Sequence, residues 1–240
     1  MMVATRVCLL LSLLLGGCAS IPQEEIAPTR LPVPGPGVHK PGVQVWAGSF
    51  FGDPELRAQA PSAESVLGIK PDSSALLQVL ALLPTPAPPE VSRQTTLQVR
   101  QIFEASGLFA HVSGVDDPLQ PGDYQILVRV YEDWPLANSQ ALAGMATLVT
   151  LGLFPSSRPQ RLKVTMDVID TRKLSLARLS NHDTIDERIG LINLAHWGST
   201  REKAERDTLK RQLDALLKRM VDEGLVAELA HSEQVPPQAR

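Results

Sequence analysis

The sequence predicts an α/β (α+β) domain, a single mixed β-sheet of about five strands flanked by helices, standing behind a proline-rich tether. Three observations predict it. Apolar and polar residues alternate at 43–51, 108–115, 123–134 and 160–170, the period of a half-buried strand, and 173–183 reads as a return strand in which Leu174, Leu176 and Leu179 interrupt strict alternation and leave the register open. Apolar residues recur at helical spacing at 91–106 and 199–223. The chain that remains after the leader and tether, about 190 residues, is long enough for a sizeable core.

The chain opens with a short segment carrying one cation, Arg6, followed by the apolar run 8–15 and then Gly16 and Gly17. This is the charged, apolar and small-residue order of a secretory signal. The run is far shorter than the roughly 20 residues a spanning helix needs. Leu15-Gly16-Gly17-Cys18 resembles the lipobox of bacterial lipoproteins. The resemblance implies that residues 1–17 are a signal peptide and that Cys18 becomes the first residue of the mature chain. Its sulfur would carry a diacylglyceryl group and its amine a further acyl chain. Each buried methylene contributes about 0.8 kcal/mol, and one chain alone holds only marginally, so a multiply acylated cysteine is a stable anchor. Ala19 and Ser20 follow, where an aspartate would favour retention in the inner membrane. The resemblance therefore implies the periplasmic face of the outer membrane.

Cys8 leaves with the signal and Cys18 is used by lipid, so no disulfide, thiol nucleophile or cysteine metal site is expected. No cofactor is expected beyond the covalent lipid. Lys and Arg number 23 against 26 Asp and Glu; without Arg6 the mature chain carries a formal charge of −4. That balance argues against nucleic acid, which calls for a basic patch.

Residues 18–42 are rich in proline (Pro22, Pro28, Pro32, Pro34, Pro36, Pro41) and read as an extended tether. At about 3.1 Å per residue such a segment reaches on the order of 70 Å. The folded domain is expected over 43–230, with an apolar insert at 138–155 and a flexible tail at 231–240. Residues 74–83 suit a short buried helix or strand, and prolines at 84, 86, 88 and 89 mark an irregular stretch.

In the helix at 91–106, Val91, Thr95, Val99, Ile102 and Phe103 share a face, and Gly107 suits its C-cap. The strand at 123–134 places Tyr124, Ile126, Val128 and Val130 on one side. Leu162, Val164, Met166 and Val168 do the same in the next strand, and 170–173 suits a hairpin turn into 173–183. Residues 185–198 read as irregular or partly helical. Ser199 with Glu202 matches a capping box, opening an amphipathic helix whose stripe is Leu209, Leu213, Leu216, Leu217, Met220 and Val221.

Residues 141–155 carry no charge. As a helix they would be about 20 Å long, short of a bilayer core of roughly 30 Å. Two readings follow: a buried element packed on the sheet, or an exposed one that meets a membrane or another subunit. In the second, Leu142, Met145, Leu148, Val149, Leu151, Leu153 and Phe154 form an interaction surface.

A lipobox cysteine, a proline-rich tether, an early strand, a helix ending at Gly107, the strand at 123–128 and a closing helix together resemble accessory lipoproteins of the Gram-negative envelope. The nearest architectures are the curli-export lipoprotein, the lipoprotein activators of penicillin-binding proteins and the N-terminal domain of TolB. That resemblance implies a non-catalytic protein that binds an envelope protein partner or forms a homo-oligomer, in transport or biogenesis. The alternative is a periplasmic enzyme or small-ligand binder. His182, Asp183, Asp186 and Glu187 are the one local cluster suited to acid/base or metal work, although neighbours on a regular strand face opposite ways. Nucleophile-elbow, phosphate-loop and zinc-helix motifs do not occur.

Overall fold

A computed structural model describes residues 18–32, 34–35, 37–52, 84–120, 123–133, 156–170, 173–189 and 200–233. Seven strands form one mixed sheet: β1 (Cys18–Pro22), β2 (Val43–Phe51), β3 (Thr85–Pro86), β4 (Val112–Ser113), β5 (Tyr124–Asp133), β6 (Ser156–Ile169) and β7 (Ser175–Ile189). The helices are α1 (Pro89–Ser106), α2 (Arg201–Asp222) and α3 (Leu225–Glu233). The strand order is β1-β7-β6-β5-β2-β3, with β4 also on β2. The α/β class is as expected; among the described residues the sheet has seven strands rather than about five, because β1 joins it from the stretch read as a tether and β3 from one read as irregular.

β2 and β5 run parallel, Val43 beside Tyr124 through Phe51 beside Glu132, and α1 lies in the connection between them. Pro89 at the start of α1 fits the helical φ, Glu90 lies in the first turn near the positive helix end, and Gly107 takes φ 66° as the left-handed cap. Thr95, Val99 and Phe103, spaced by four, form the buried face of α1. Val99 and Phe103 meet Val43, Val45 and Ala47 of β2 and Ile126, Val128 and Val130 of β5 in one core cluster. α2 adds Leu209, Leu213, Leu216, Leu217 and Met220 as expected. Its cap is Thr200, whose Oγ1 accepts from the Lys203 amide at 3.3 Å, one residue later than the Ser199 of the capping-box expectation. Gly224 (φ 75°) breaks the chain from α2 into α3, a helix the sequence analysis did not separate.

Further corrections concern the strands. Of 108–115, only Val112–Ser113 pairs, since Leu108 and Phe109 turn into the core and the Phe109 ring stacks on Phe103 at 5.6 Å. β7 runs on to Ile189, so 185–189 is strand, not helix: its backbone is bonded by β6 on one side and β1 on the other. The β6–β7 register shifts at Val168/Ile169, next to the hairpin. Leu174 and Leu176 stay exposed, whereas Leu179 is buried.

Residues 18–42 depart most from expectation. Cys18–Pro22 is an edge strand, and Leu31 packs against the core. Backbone pairing needs no apolar periodicity, so a stretch poor in hydrophobic residues still joins a sheet that offers an unpaired edge. Residues 74–83 lie outside the described residues.

Candidate functional site

Two places follow from the sequence: the cysteine at 18 and the polar cluster at 182–187. The sheet brings them together. β1 runs antiparallel to β7, with Cys18 beside Ile189, Ser20 beside Glu187 and Pro22 beside Ile185. Ala19 and Ser20, the two residues after the cysteine, are buried. Past Pro22 the attachment continues: the Gln23 amide donates to the Thr184 carbonyl at 2.9 Å, and the Glu25 amide to Asp183 Oδ1 at 3.3 Å.

Asp183 is the centre of this attachment. Its side chain is fully buried (0% exposed), and Oδ2 accepts from Arg211 Nη2 of α2 at 3.1 Å. Oδ1 takes the Thr184 and Glu25 amides. Arg211 reaches Glu24 as well, at 3.8 Å. Asp183 therefore staples the segment after β1 to the long helix, with every contact of its carboxylate to a donor, as a buried charge requires. His182 faces the other way, 71% exposed, its nearest acidic partner being Glu25 at 4.0 Å. The strand alternation that argued against convergence at 182–183 holds, and Asp183 is committed to structure. His111 likewise serves the fold, its Nε2 2.9 Å from Oδ1 of the buried Asp123.

Among the described residues, β6 and β7 extend past β2 and β5 at this end. Asp133, the last residue of β5, pairs with Arg161, whereas β6 begins at Ser156, in register with Ile189 and so with Cys18. Five residues at about 3.3 Å each make a three-stranded arm projecting roughly 16 Å, with Cys18 at its tip. The same pole collects the ends of three stretches outside the described residues: Gly52 and Pro84, Asp133 and Ser156, Ile189 and Thr200. The proposed interaction surface, Leu142, Met145, Leu148, Val149, Leu151, Leu153 and Phe154, lies in one of these stretches and outside the described residues.

The helices cover one face of the sheet. On the other, Phe50 and Tyr131 stack at 5.4 Å, Trp46 is 38% exposed, and Asp167 is held by Arg129 at 2.6 Å and by Arg178.

At this same pole the helical face also carries charge. Glu132 continues the inward row Tyr124, Ile126, Val128, Val130 and comes to lie under the first turns of α2. Burial, and then the neighbouring Glu205 carboxylate, hold its pKa above the usual glutamate value, against the opposing pull of Arg201 and the Gln160 amide. A carboxyl whose folded pKa is raised binds its proton more readily in the folded state. Its ionisation therefore costs stability above the folded pKa and costs nothing below the unfolded value near 4.5. Glu132→Gln is expected to raise the unfolding midpoint by a few degrees at neutral pH, a gain that fades as pH falls to the unfolded value. Thermal melts of both forms across that range check it.

Among the described residues, no helix is long and apolar enough to cross a membrane, and no three His, Cys, Asp or Glu side chains gather in a metal-binding group. No protein-family model matches the chain, and no curated protein does. Among solved structures the chain is similar to a dodecamer of a PelC variant from Paraburkholderia phytofirmans, at 10% identity and a TM-score of 0.31, covering 84% of this chain and 95% of that one. At that score the likeness carries no conclusion about either fold or function.

Proposed function

We propose that this is a lipid-anchored protein of the outer membrane's periplasmic face, acting without catalysis as an accessory or assembly factor that binds an envelope protein or forms a homo-oligomer. The observation that carries the proposal is the position of Cys18. Acyl chains on that residue would leave directly from the tip of the three-stranded arm, and the buried Ala19 and Ser20 allow no slack. The working range is then set by the rigid domain, not by a tether of some 70 Å. The described chain stops at Asp133 and resumes at Ser156, both at this pole, and the uncharged residues 141–155 between them are the contact surface of this reading. Within the alternative site at 182–187, the Asp183 carboxylate is occupied by Arg211 and two backbone amides.

The test is the mass of the full chain in detergent by light scattering, with and without residues 141–155. A defined oligomer that becomes a folded monomer on deletion supports an assembly surface. A chain that is monomeric with the stretch and unfolds without it places those residues in the core and removes the proposal's contact surface. Trimming to a start near residue 38 is unsuited to this test, since it removes β1 and leaves β7 as an open edge.

A further inference from the structure

Between α1 and α2, where both helices begin, a cleft of about 320 Å³ opens onto the sheet. Its apolar surfaces are Val130, Leu162 and Leu209, and its rim carries Glu132, Glu202 and Glu205 against a single guanidinium, Arg201. The guanidinium is already engaged, with Glu205 at 2.6 Å, Glu187 at 3.6 Å and Glu132 at 3.8 Å. The cleft therefore holds more negative charge than positive.

Two buried glutamines sharpen the same imbalance. Gln212, which lines the cleft and is 0% exposed, donates through Nε2 to the Leu162 carbonyl at 2.9 Å, leaving Oε1 without a donor. Gln160, also 0% exposed, gives its amide hydrogens to Glu132 and Glu205, both at 3.2 Å, and its Oε1 is likewise unmatched. A buried acceptor without a donor is destabilising. Three carboxylates and the Gln212 amide thus line the cavity beside the uncharged Gln94 and Gln98, and its one guanidinium is engaged.

We propose that this cleft binds a small organic cation, a protonated amine carried on a short apolar body. An ammonium group has three donors and no acceptor, the complement of what the rim carboxylates and the Gln212 oxygen offer. Its apolar body lies on Val130, Leu162 and Leu209, and an anion of the same size meets the carboxylates and is repelled. The site lies at the anchored pole but needs neither the lipid nor a partner, so it stands independently of the function proposed above.

The full chain in non-ionic detergent tests this with three probes of one shape: n-propylammonium, n-propanol and propionate. Saturation-transfer NMR is expected to show saturable binding of n-propylammonium alone, weakened about tenfold in Glu132→Gln, a loss of roughly 1.4 kcal/mol. Glu202→Gln, on the exposed rim, serves as a second variant if the first alters folding, and is expected to weaken the amine to a lesser degree. Equal binding of the amine and the alcohol, amine binding unchanged in both folded variants, or no saturable amine binding each overturns the assignment.

Discussion

Asp183→Ala is expected to lower the unfolding midpoint by on the order of 10 °C. Removing one member of a buried ion pair costs about 3–5 kcal/mol, and each kilocalorie shifts a domain of this size by roughly 2–4 °C. The carboxylate is 0% exposed and holds Arg211, which is itself 13% exposed, so the variant leaves a guanidinium without its principal counter-charge. The Glu25 amide loses its acceptor too, and the return of the chain from β1 is freed. Arg211→Met is expected to be at least as damaging, since it strands a carboxylate with two amide donors in a site closed to water. Replacing both residues by apolar ones should recover much of the loss, because a buried pair exchanged for hydrophobic groups is often near neutral. Circular dichroism melts of the two single variants and the double variant give the coupling directly. Single variants that each melt within a degree or two of the parent would show that the pair does not hold the segment.

Cys18→Ser is expected to move the protein wholly from the membrane fraction to the soluble periplasmic fraction. No helix among the described residues crosses a membrane, and a serine hydroxyl does not take the thioether-linked diacylglyceryl group. β1 is held by backbone bonds to β7, which the substitution leaves in place, so the melting temperature of the released domain should match that of the detergent-solubilised parent within a few degrees. Fractionation of cells expressing each form, with a melt of each, separates loss of anchoring from loss of folding. A variant that still sediments with the outer membrane would make a protein contact the principal attachment.

The sequence displayed those parts of the fold in which side-chain burial follows a local period. Thr95, Val99 and Phe103 with the cap at Gly107, the inward row of β5, and the stripe on α2 are each set within one element. β1 was hidden because it is made by pairing across the length of the chain, Cys18 with Ile189, and because its five residues end in a proline. The end of β7 was hidden for the complementary reason. Asp186, Glu187 and Arg188 sit among strands that satisfy the backbone on both sides, so strand structure persists where the side chains look like a solvated loop. At the sites, strand alternation alone separated His182 from Asp183, but nothing near Asp183 in sequence named Arg211 as its partner. The acidic cleft had a signal that was passed over: the inward alternation from Tyr124 runs straight on to Glu132, which puts a carboxylate on the core face. Its companions Gln160, Glu205 and Gln212 come from other elements and are assembled only by the fold.

The central claim is that Cys18 is both the first residue of the mature protein and the start of the sheet's edge strand. The most direct measurement is the mass of the N-terminal peptide from protein extracted out of the outer membrane. The account predicts a chain that begins at Cys18 and carries a diacylglyceryl group and an additional acyl chain. A chain beginning at Met1, or one with Cys18 present and unacylated, would contradict it.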